Sequence, residues 1–305
     1  MGVVMPNQRF GGPWTDIKQN VLGKYLRAYT LIFARNPKAS YYRTVYIDAF
    51  AGSGFRAARQ KKAVPLQGLF IDIKQREQEA RKGSAMLALE LPNKFDKYLF
   101  IERKPKYAQS LRNAIRSNHQ DLLGRCTIRE GDANELLQRW CRDQDWHRQR
   151  GVVFLDPYGM DVEWNTIRVI ARTKALDMWV LVPLGIGINR LLQKDRMPGP
   201  AWSKRLTRFF GTESWKTFYS TFTPRTLFED EAEVTRRIAR SADIARYTID
   251  RFKTEFSAVL EPPLVLRNST NSPMFLLCFA VGNPAGEKAG LKIARDIIGG
   301  PIGPI

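Results

Sequence analysis

The segment Val45-Tyr46-Ile47-Asp48-Ala49-Phe50-Ala51-Gly52-Ser53-Gly54 combines an apolar run, an acid and a loop that contains two glycines. The pattern predicts a buried strand over residues 44–48 that ends in a glycine loop. Such a loop lets the backbone approach a bound cofactor closely, because glycine has no Cβ and tolerates positive φ. Further along the chain, a second apolar run leads into Leu155-Asp156-Pro157-Tyr158-Gly159. The two segments together favour a site that transfers methyl groups and uses S-adenosylmethionine.

The composition predicts a folded protein with a polyanionic partner. A chain of 305 residues with 44% apolar content can bury a full core, as one large domain or one domain with an elaboration. The net charge is +19 and the isoelectric point is about 10.1, and the basic residues are dispersed rather than gathered in a tail. Lys and Arg that neutralise phosphates release counterions, so this charge favours nucleic-acid binding, DNA or RNA, over a merely solvated basic surface.

Cysteine and histidine usage argues against a metal site. Cys126, Cys141 and Cys278 have no C-x-x-C spacing, and the chain has only two histidines. This cysteine usage fits a reducing, cytoplasmic compartment. No apolar run approaches the length of a membrane-spanning helix, and the N-terminus lacks the pattern of a signal peptide. We therefore expect a cytoplasmic protein with no metal and no membrane partner.

Alternating strand and helix patterns predict an α/β fold built on a doubly wound, Rossmann-like parallel sheet. The first helix is predicted to enter at Thr15 or Asp16. Further strands are predicted over residues 97–102, 126–129, 151–155 and 176–182, with helices over 83–89, 104–118 and 164–172. Two last strands, 264–266 and 274–281, are joined by a connection short enough for an antiparallel pair.

The predicted organisation has four parts. Residues 1–43 are an N-terminal helical segment, and 44–182 are a methyltransferase-like core with a basic insertion at 55–82. Residues 183–257 are predicted to be a helical, basic elaboration. Residues 258–305 supply the last two strands and the C-terminal helix that complete the core.

Acidic side chains end successive predicted strands, where open α/β sheets bind their ligands. Asp48 and the glycine loop are placed to receive the amino-acid end of the cofactor. Glu102 could accept hydrogen bonds from both ribose hydroxyls, and Asp132 could accept one from the adenine amino group. The alternative for Glu102 and Asp132 is that they cap the following helices. The predicted cofactor-binding residues are Asp48, Phe50, Gly52, Gly54, Glu102, Asp132 and Ala133.

Asp156, Pro157 and Tyr158 are the predicted catalytic residues. An exocyclic base amine is a poor nucleophile, because its lone pair is delocalised into the ring. Asp156 and the Pro157 carbonyl could accept its N–H bonds and direct the lone pair toward the methyl group, while Tyr158 stacks on the base. The target base would have to be unpaired or flipped out of a duplex. The alternative is an ordinary turn after a strand, with an aromatic plug.

Basic residues in two regions are predicted to hold the nucleic-acid substrate. The insertion contributes Arg56, Lys61 and Lys62. The segment 183–257 contributes Lys204 and Arg205, beside aromatic residues that favour packing in a small core of their own over stacking on bases.

A dinucleotide site is the competing cofactor assignment. Gly52-Ser53-Gly54-Phe55-Arg56-Ala57 satisfies G-x-G-x-x-A, and Asp72 stands at the spacing expected of a ribose-binding acid. Against it, a helix after the loop could not continue past Pro65, which makes it too short for a normal crossover. This assignment also gives no role to Asp132 or to Asp156-Pro157-Tyr158.

Five motifs, as a set, resemble those of the three-Cys-motif partner protein family: residues 46–54, 82–85, 100–102, 131–134 and 154–159. The resemblance continues through 183–187, 266–269 and 278–280, and so covers nearly the whole chain. The family is named for cysteines in a genetically associated protein, which is therefore an implied partner. The resemblance implies a class I, S-adenosylmethionine-dependent methyltransferase with a seven-stranded sheet whose last strand is antiparallel.

Two departures from better-understood relatives leave the substrate open. Methyltransferases of base amines usually carry Asp/Asn-Pro-Pro-aromatic, whereas a single proline precedes Tyr158 here. The form Asp156-Pro157-Tyr158-Gly159 is closer to the Asp-Pro-Phe-Gly pattern of tRNA guanine-N2 methyltransferases, so adenine and guanine are both candidates. The insertion also separates the glycine loop from the helix that normally follows it. Two alternatives stand beside the nucleic-acid methyltransferase: an inactive fold that binds nucleic acid or a partner protein, and a methyltransferase that acts on protein.

Overall fold

A computed structural model describes residues 13–56, 81–223 and 233–300 of the chain. They fall into two compact units: the first reaches Phe154 and includes the residues from Asp296 onwards, and the second is Leu155–Arg295. The strands are β1 (Arg43–Asp48), β2 (Phe55–Arg56), β3 (Arg81–Lys82), β4 (Lys97–Glu102), β5 (Cys126–Glu130), β6 (Gln149–Leu155), β7 (Leu176–Val182), β8 (Tyr219–Phe222), β9 (Val234–Arg237), β10 (Ala258–Val259), β11 (Leu264–Arg267) and β12 (Pro273–Val281).

The helices are α1 (Pro13–Arg35), α2 (Ser84–Leu89), α3 (Pro105–Asn118), α4 (Ala133–Asp143), α5 (Trp164–Arg172), α6 (Pro200–Phe210), α7 (Ser241–Lys253) and α8 (Glu287–Gly299). Shorter helical turns lie at Gln120–Arg125, Leu184–Ile188, Asn189–Leu191, Ser214–Phe218 and Pro284–Gly286. Thr15 and Asp16, predicted at the helix entry, already lie within α1, whose described residues start at Pro13.

The first unit contains a parallel sheet with the strand order β6-β1-β4-β5. On β1, Tyr46 and Ile47 are completely buried. From its second residue onwards the strand is buried at every position rather than at alternate ones, as is typical of parallel strands that are covered on both faces. The register sets Asp48 opposite Phe100 of β4 and opposite Phe154 of β6. Asp48 therefore lies at the carboxyl end of a central strand.

Strands β2 and β3 form a small antiparallel ladder directly after the glycine loop. Phe55 pairs with Lys82, and the Gly83 N–H donates to the Gly54 carbonyl oxygen at 2.8 Å. The predicted insertion thus begins and ends on paired backbone. Its residues 57–80, including Lys61, Lys62 and Asp72, lie outside the described part of the chain.

The second unit contains β7 and the last strands of the chain. Strand β12 runs antiparallel to β7, with Phe279 opposite Trp179, and their rings lie 4.7 Å apart. Strands β10 and β11 both pair antiparallel with β12. The antiparallel arrangement predicted for the last two strands is confirmed.

The segment 183–257 is less uniformly helical than predicted, because it also contains the antiparallel pair β8 and β9. Their sequences, Tyr219-Ser220-Thr221-Phe222 and Val234-Thr235-Arg236-Arg237, show no buried alternation, and none of their residues is fully buried. The pair therefore leaves no period-two signal in the sequence.

Taken together, the elements define a Rossmann-like α/β fold with a mostly parallel central sheet and an antiparallel last strand, as predicted. Among the described residues, none of the helices has the length and apolar content needed to cross a membrane.

Candidate functional site

The glycine loop is fixed to the ends of three parallel strands in the first unit. The Asp48 side chain is completely buried, and its Oδ1 accepts the Phe50 N–H at 3.2 Å. The Ala49 N–H donates to the Phe154 carbonyl on β6 at 3.2 Å, and the Ala51 N–H donates to the Ile101 carbonyl on β4 at 3.0 Å. The loop backbone is therefore held at the carboxyl ends of the strands, where α/β folds bind ligands.

Glu102, the last residue of β4, holds the loop through its carboxylate. Its Oε2 accepts the Gly52 N–H at 2.9 Å, and its Oε1 accepts the Lys104 N–H at 2.8 Å. The residue is only 5% exposed. Each carboxylate oxygen has two lone-pair sites, so both oxygens retain capacity to accept a hydroxyl. Glu102 thus organises the loop and is chemically able to accept from a ribose.

Two loop positions require glycine. Gly52 has φ +64° and Gly54 has φ +84°, in the left-handed region that other residues rarely adopt. A Cβ on Gly54 would also lie 3.0 Å from Leu111 Cδ1 and 3.4 Å from Met86 Cγ. The loop thus makes a tight turn in which a side chain at Gly54 would collide with the packed side chains of Leu111 and Met86.

Asp132 begins helix α4 as its N-cap. Its Oδ1 accepts the Asn134 N–H at 2.9 Å and the Glu135 N–H at 3.2 Å. The preceding Gly131 donates its N–H to the Glu102 carbonyl at 3.2 Å, so the cap lies beside the end of β4. The capping alternative weighed for Asp132 is therefore realised, and Ala133 is buried directly after it. The contact of Asp132 with adenine stays a prediction.

The dinucleotide assignment does not match the local structure. In Rossmann dinucleotide sites the glycine-rich turn opens a helix whose N-terminus binds the pyrophosphate. Here Gly54 leads into strand β2, and the next described helix is α2, which begins at Ser84.

In the second unit, Asp156, Pro157 and Tyr158 directly follow β6. Asp156 is half-buried, Pro157 is buried, and Tyr158 is 47% exposed. The exposure of this aromatic residue agrees with the stacking role proposed for Tyr158, which stays a prediction. Gly159 turns the chain with φ +65°, and Met160 is again buried.

Two ion pairs, which the sequence analysis does not predict, tie the loop that follows Tyr158 to helix α6. Arg205 Nη2 lies 3.2 Å from Asp161 Oδ1, and Arg208 forms an ion pair with Glu163. The loop ends at the buried Trp164, whose indole N–H donates to Glu255 Oε1 at 3.0 Å. These partners are far apart in sequence, and only a motif linking Asp161 and Glu163 to an Arg-x-x-Arg helix could have signalled them.

The predicted substrate residues fall in three different settings. Arg205 engages Asp161, whereas Lys204 beside it on α6 is exposed. Arg56 contributes its backbone to β2, and its side chain, like Lys61 and Lys62, lies outside the described residues. Within the described ranges, no group of three or more His, Cys, Asp or Glu side chains is arranged to hold a metal ion.

Comparisons with known proteins give similar folds at low identity. No family model matches the chain, and no curated protein matches it. A protein of Legionella pneumophila strain Philadelphia 1 is 12% identical over 95% of this chain and 94% of its own, with a TM-score of 0.48. The methyltransferase domain of bacterial CtHen1 is 10% identical over 87% of this chain and 99% of its own, with a TM-score of 0.38.

The glycopeptide N-methyltransferase MtfA, solved in complex with sinefungin, is 12% identical over 84% of this chain and 85% of its own, with a TM-score of 0.34. Likeness at this level does not transfer an activity, so the functional assignment comes from the residues of this chain.

Proposed function

We propose that the protein is an S-adenosylmethionine-dependent methyltransferase that acts on an exocyclic amine of a nucleic-acid base, adenine or guanine. The observation that carries the proposal is the glycine loop, held by the Glu102 carboxylate at the carboxyl ends of β1 and β4. A loop of this kind admits a ligand against bare backbone, and an acid beside it can accept hydroxyl hydrogens.

The cofactor half of the proposal assigns roles within the first unit. The loop from Phe50 to Gly54, with Asp48 beneath it, would hold the amino-acid end of the cofactor. Glu102 would accept from the ribose hydroxyls, and Asp132 with Ala133 would adjoin the adenine. When bound, the cofactor supplies an electrophilic methyl group. The fit rests on Glu102, whose two carboxylate oxygens each hold one backbone N–H and keep a lone-pair site for a ribose hydroxyl.

The reaction half assigns roles within the second unit. Asp156 and the Pro157 carbonyl would accept the N–H bonds of the target amine and so direct its lone pair toward the methyl group. Tyr158 would fix the base plane by stacking, which accelerates the reaction through orientation. A partner protein related to the three-Cys-motif family, a cytoplasmic setting and no metal requirement belong to the same proposal.

The first test separates cofactor binding from transfer. We expect S-adenosylhomocysteine, but not NAD, to bind the purified protein in calorimetry, and Asp48→Ala to abolish binding. We expect Asp156→Ala to bind the same ligand normally and to lose transfer of labelled methyl groups to mixed DNA and RNA pools. Full activity of Asp156→Ala would refute the catalytic assignment.

A second candidate is an inactive fold that binds nucleic acid or a partner. It is favoured by the structural use of the acids, since Glu102 holds two amides and Asp132 caps α4. Nucleic-acid binding without transfer to DNA, RNA or protein would favour it, whereas steady turnover would eliminate it.

A further inference from the structure

The second unit contains an open cleft of about 530 Å³ that is separate from the Asp156-Pro157-Tyr158 loop in its lining residues. It is lined by Lys194, Asp195 and residues 236–241. The Arg237 N–H donates to the Lys194 carbonyl at 2.8 Å, so the two sides of the lining are joined by backbone. The cleft is therefore part of the fold around β9 and the start of α7.

The cleft carries an excess of positive charge. Among its described lining residues, four are cations, Lys194, Arg236, Arg237 and Arg240, and one, Asp195, is an anion. The Arg236 Nε and Asp195 Oδ1 atoms are 4.0 Å apart, with side chains 61% and 81% exposed, so this pair is weak. A concave surface with a net positive charge concentrates anions.

Arg237 is held in place by neutral groups. Its Nη1 donates to Asn189 Oδ1 at 3.3 Å and to the Leu192 carbonyl at 3.0 Å, and it forms no ion pair among the described residues. Asn189 is itself fixed, because its Nδ2 donates to Ser241 Oγ at 3.1 Å. The guanidinium is thus positioned without being neutralised, which leaves its charge for a ligand such as phosphate.

A ligand in the cleft would be bound by side chains rather than by the backbone at the start of α7. The Arg240 N–H, at the first turn, already donates to the Asp243 carboxylate at 2.8 Å. Beside the cleft, Phe222 on β8 is 42% exposed, and the Arg236 guanidinium lies 5.7 Å from its ring centre. Exposed aromatic rings beside cations are typical of surfaces that bind single-stranded nucleic acid.

We propose that this cleft binds the backbone phosphates of a single-stranded nucleic acid through Lys194, Arg236, Arg237 and Arg240, and that Phe222 stacks on a base. This inference rests on the nucleic-acid substrate proposed above and gives that substrate a second contact. It adds residues to those predicted from sequence, and it favours single strands over duplexes.

The test measures binding of a fluorescein-labelled single-stranded oligonucleotide by anisotropy at several salt concentrations. We expect Arg236→Ala/Arg240→Ala to weaken binding about tenfold and to reduce the slope of log K against log salt by about 1.4, or about 0.7 for each lost phosphate contact. The control Lys288→Ala/Arg295→Ala removes the same charge from exposed positions on α8 and should stay within about twofold. Phe222→Ala should weaken binding without changing the slope.

Several outcomes would overturn the proposal. The first is that Arg236→Ala/Arg240→Ala binds the oligonucleotide as tightly as the wild type does, and the second is that the control pair loses as much affinity. The third is that the wild type prefers duplex to single strand, and the fourth is that the variant weakens binding of inorganic phosphate but not of the oligonucleotide. The measurement uses no turnover. If the wild type transfers no methyl group but the cleft variant loses binding, only the proposed enzymatic function fails. If an active enzyme binds equally well with the cleft variant, only the cleft proposal fails.

Discussion

Glu102 joins two backbone amides through one buried carboxylate, so its removal should damage both the loop and the stability of the first unit. Glu102→Ala leaves the Gly52 and Lys104 N–H groups without their acceptor. Hydrogen bonds to a charged group contribute about 1.5–3 kcal/mol each, so we expect a loss of about 3 kcal/mol in the free energy of unfolding, measured with urea. S-adenosylhomocysteine binding should be lost as well.

Glu130→Ala is the control for that variant. Glu130 also ends a strand of the same sheet, but its carboxylate pairs with Arg112 at 2.5 Å with both side chains about one-third exposed. Such pairs contribute less than about 1 kcal/mol. Equal losses in the two variants would contradict the role given to Glu102.

Gly54 should not tolerate alanine. Its φ of +84° and the 3.0 Å approach of Leu111 Cδ1 both oppose a Cβ, and the left-handed conformation alone costs about 1–2 kcal/mol. We expect Gly54→Ala to lower the free energy of unfolding by about 2 kcal/mol. Gly124→Ala meets nothing within 4 Å and should change it by less than about 0.5 kcal/mol. A neutral Gly54→Ala would show that the loop repacks easily.

The sequence predicts that Asp48 and Glu102 end strands and that a glycine turn follows Asp48, and the structure confirms these positions. They are predictable because strand ends and glycine turns are local signals. Sequence reasoning could not foresee partners that are distant in sequence. Arg205 was predicted as a substrate contact from its charge, yet its guanidinium reaches Asp161. The charge of an arginine is visible in the sequence, whereas its partner depends on packing.

Helix α6 should position the loop after Tyr158. Arg205→Ala/Arg208→Ala removes both ion pairs to Asp161 and Glu163. We expect methyl transfer to fall about tenfold in kcat, because small displacements of reacting groups are costly, while S-adenosylhomocysteine binding is unchanged. Amide hydrogen exchange in the loop should accelerate. The same changes in the Lys288→Ala/Arg295→Ala control would assign the effect to charge alone.

Elements with strong apolar runs were predicted with the same bounds that the structure shows, as for Lys97–Glu102 and Leu176–Val182. Each is a nearly continuous apolar run that is buried from its second residue onwards or throughout. Strands β8 and β9 are not predicted from the sequence, because both are largely polar and partly exposed. They pair with each other across a connection too long to give a hairpin signal. Pattern-based prediction succeeds where burial imposes the pattern.

The three thiols of the molecule should be inert in the folded state. Burial raises the pKa of Cys126 and of Cys141 to about 12, and it raises the pKa of the Cys278 thiol as well. A raised pKa lowers the thiolate fraction, to about one part in ten thousand at pH 8 for the first two. We expect almost no reaction with Ellman's reagent at pH 8 and three equivalents in urea. One rapid equivalent in the native protein would contradict this.

The paired backbone at Gly54 and Gly83 has a consequence for how this chain can change over evolutionary time. Both ends of the segment between Arg56 and Arg81 are anchored to each other by β2 and β3. Closing a longer loop costs only about 0.6 kcal/mol for each doubling of its length. A lineage can therefore lengthen, shorten or replace this segment without disturbing the sheet, and relatives are expected to differ in length here more than elsewhere in the first unit.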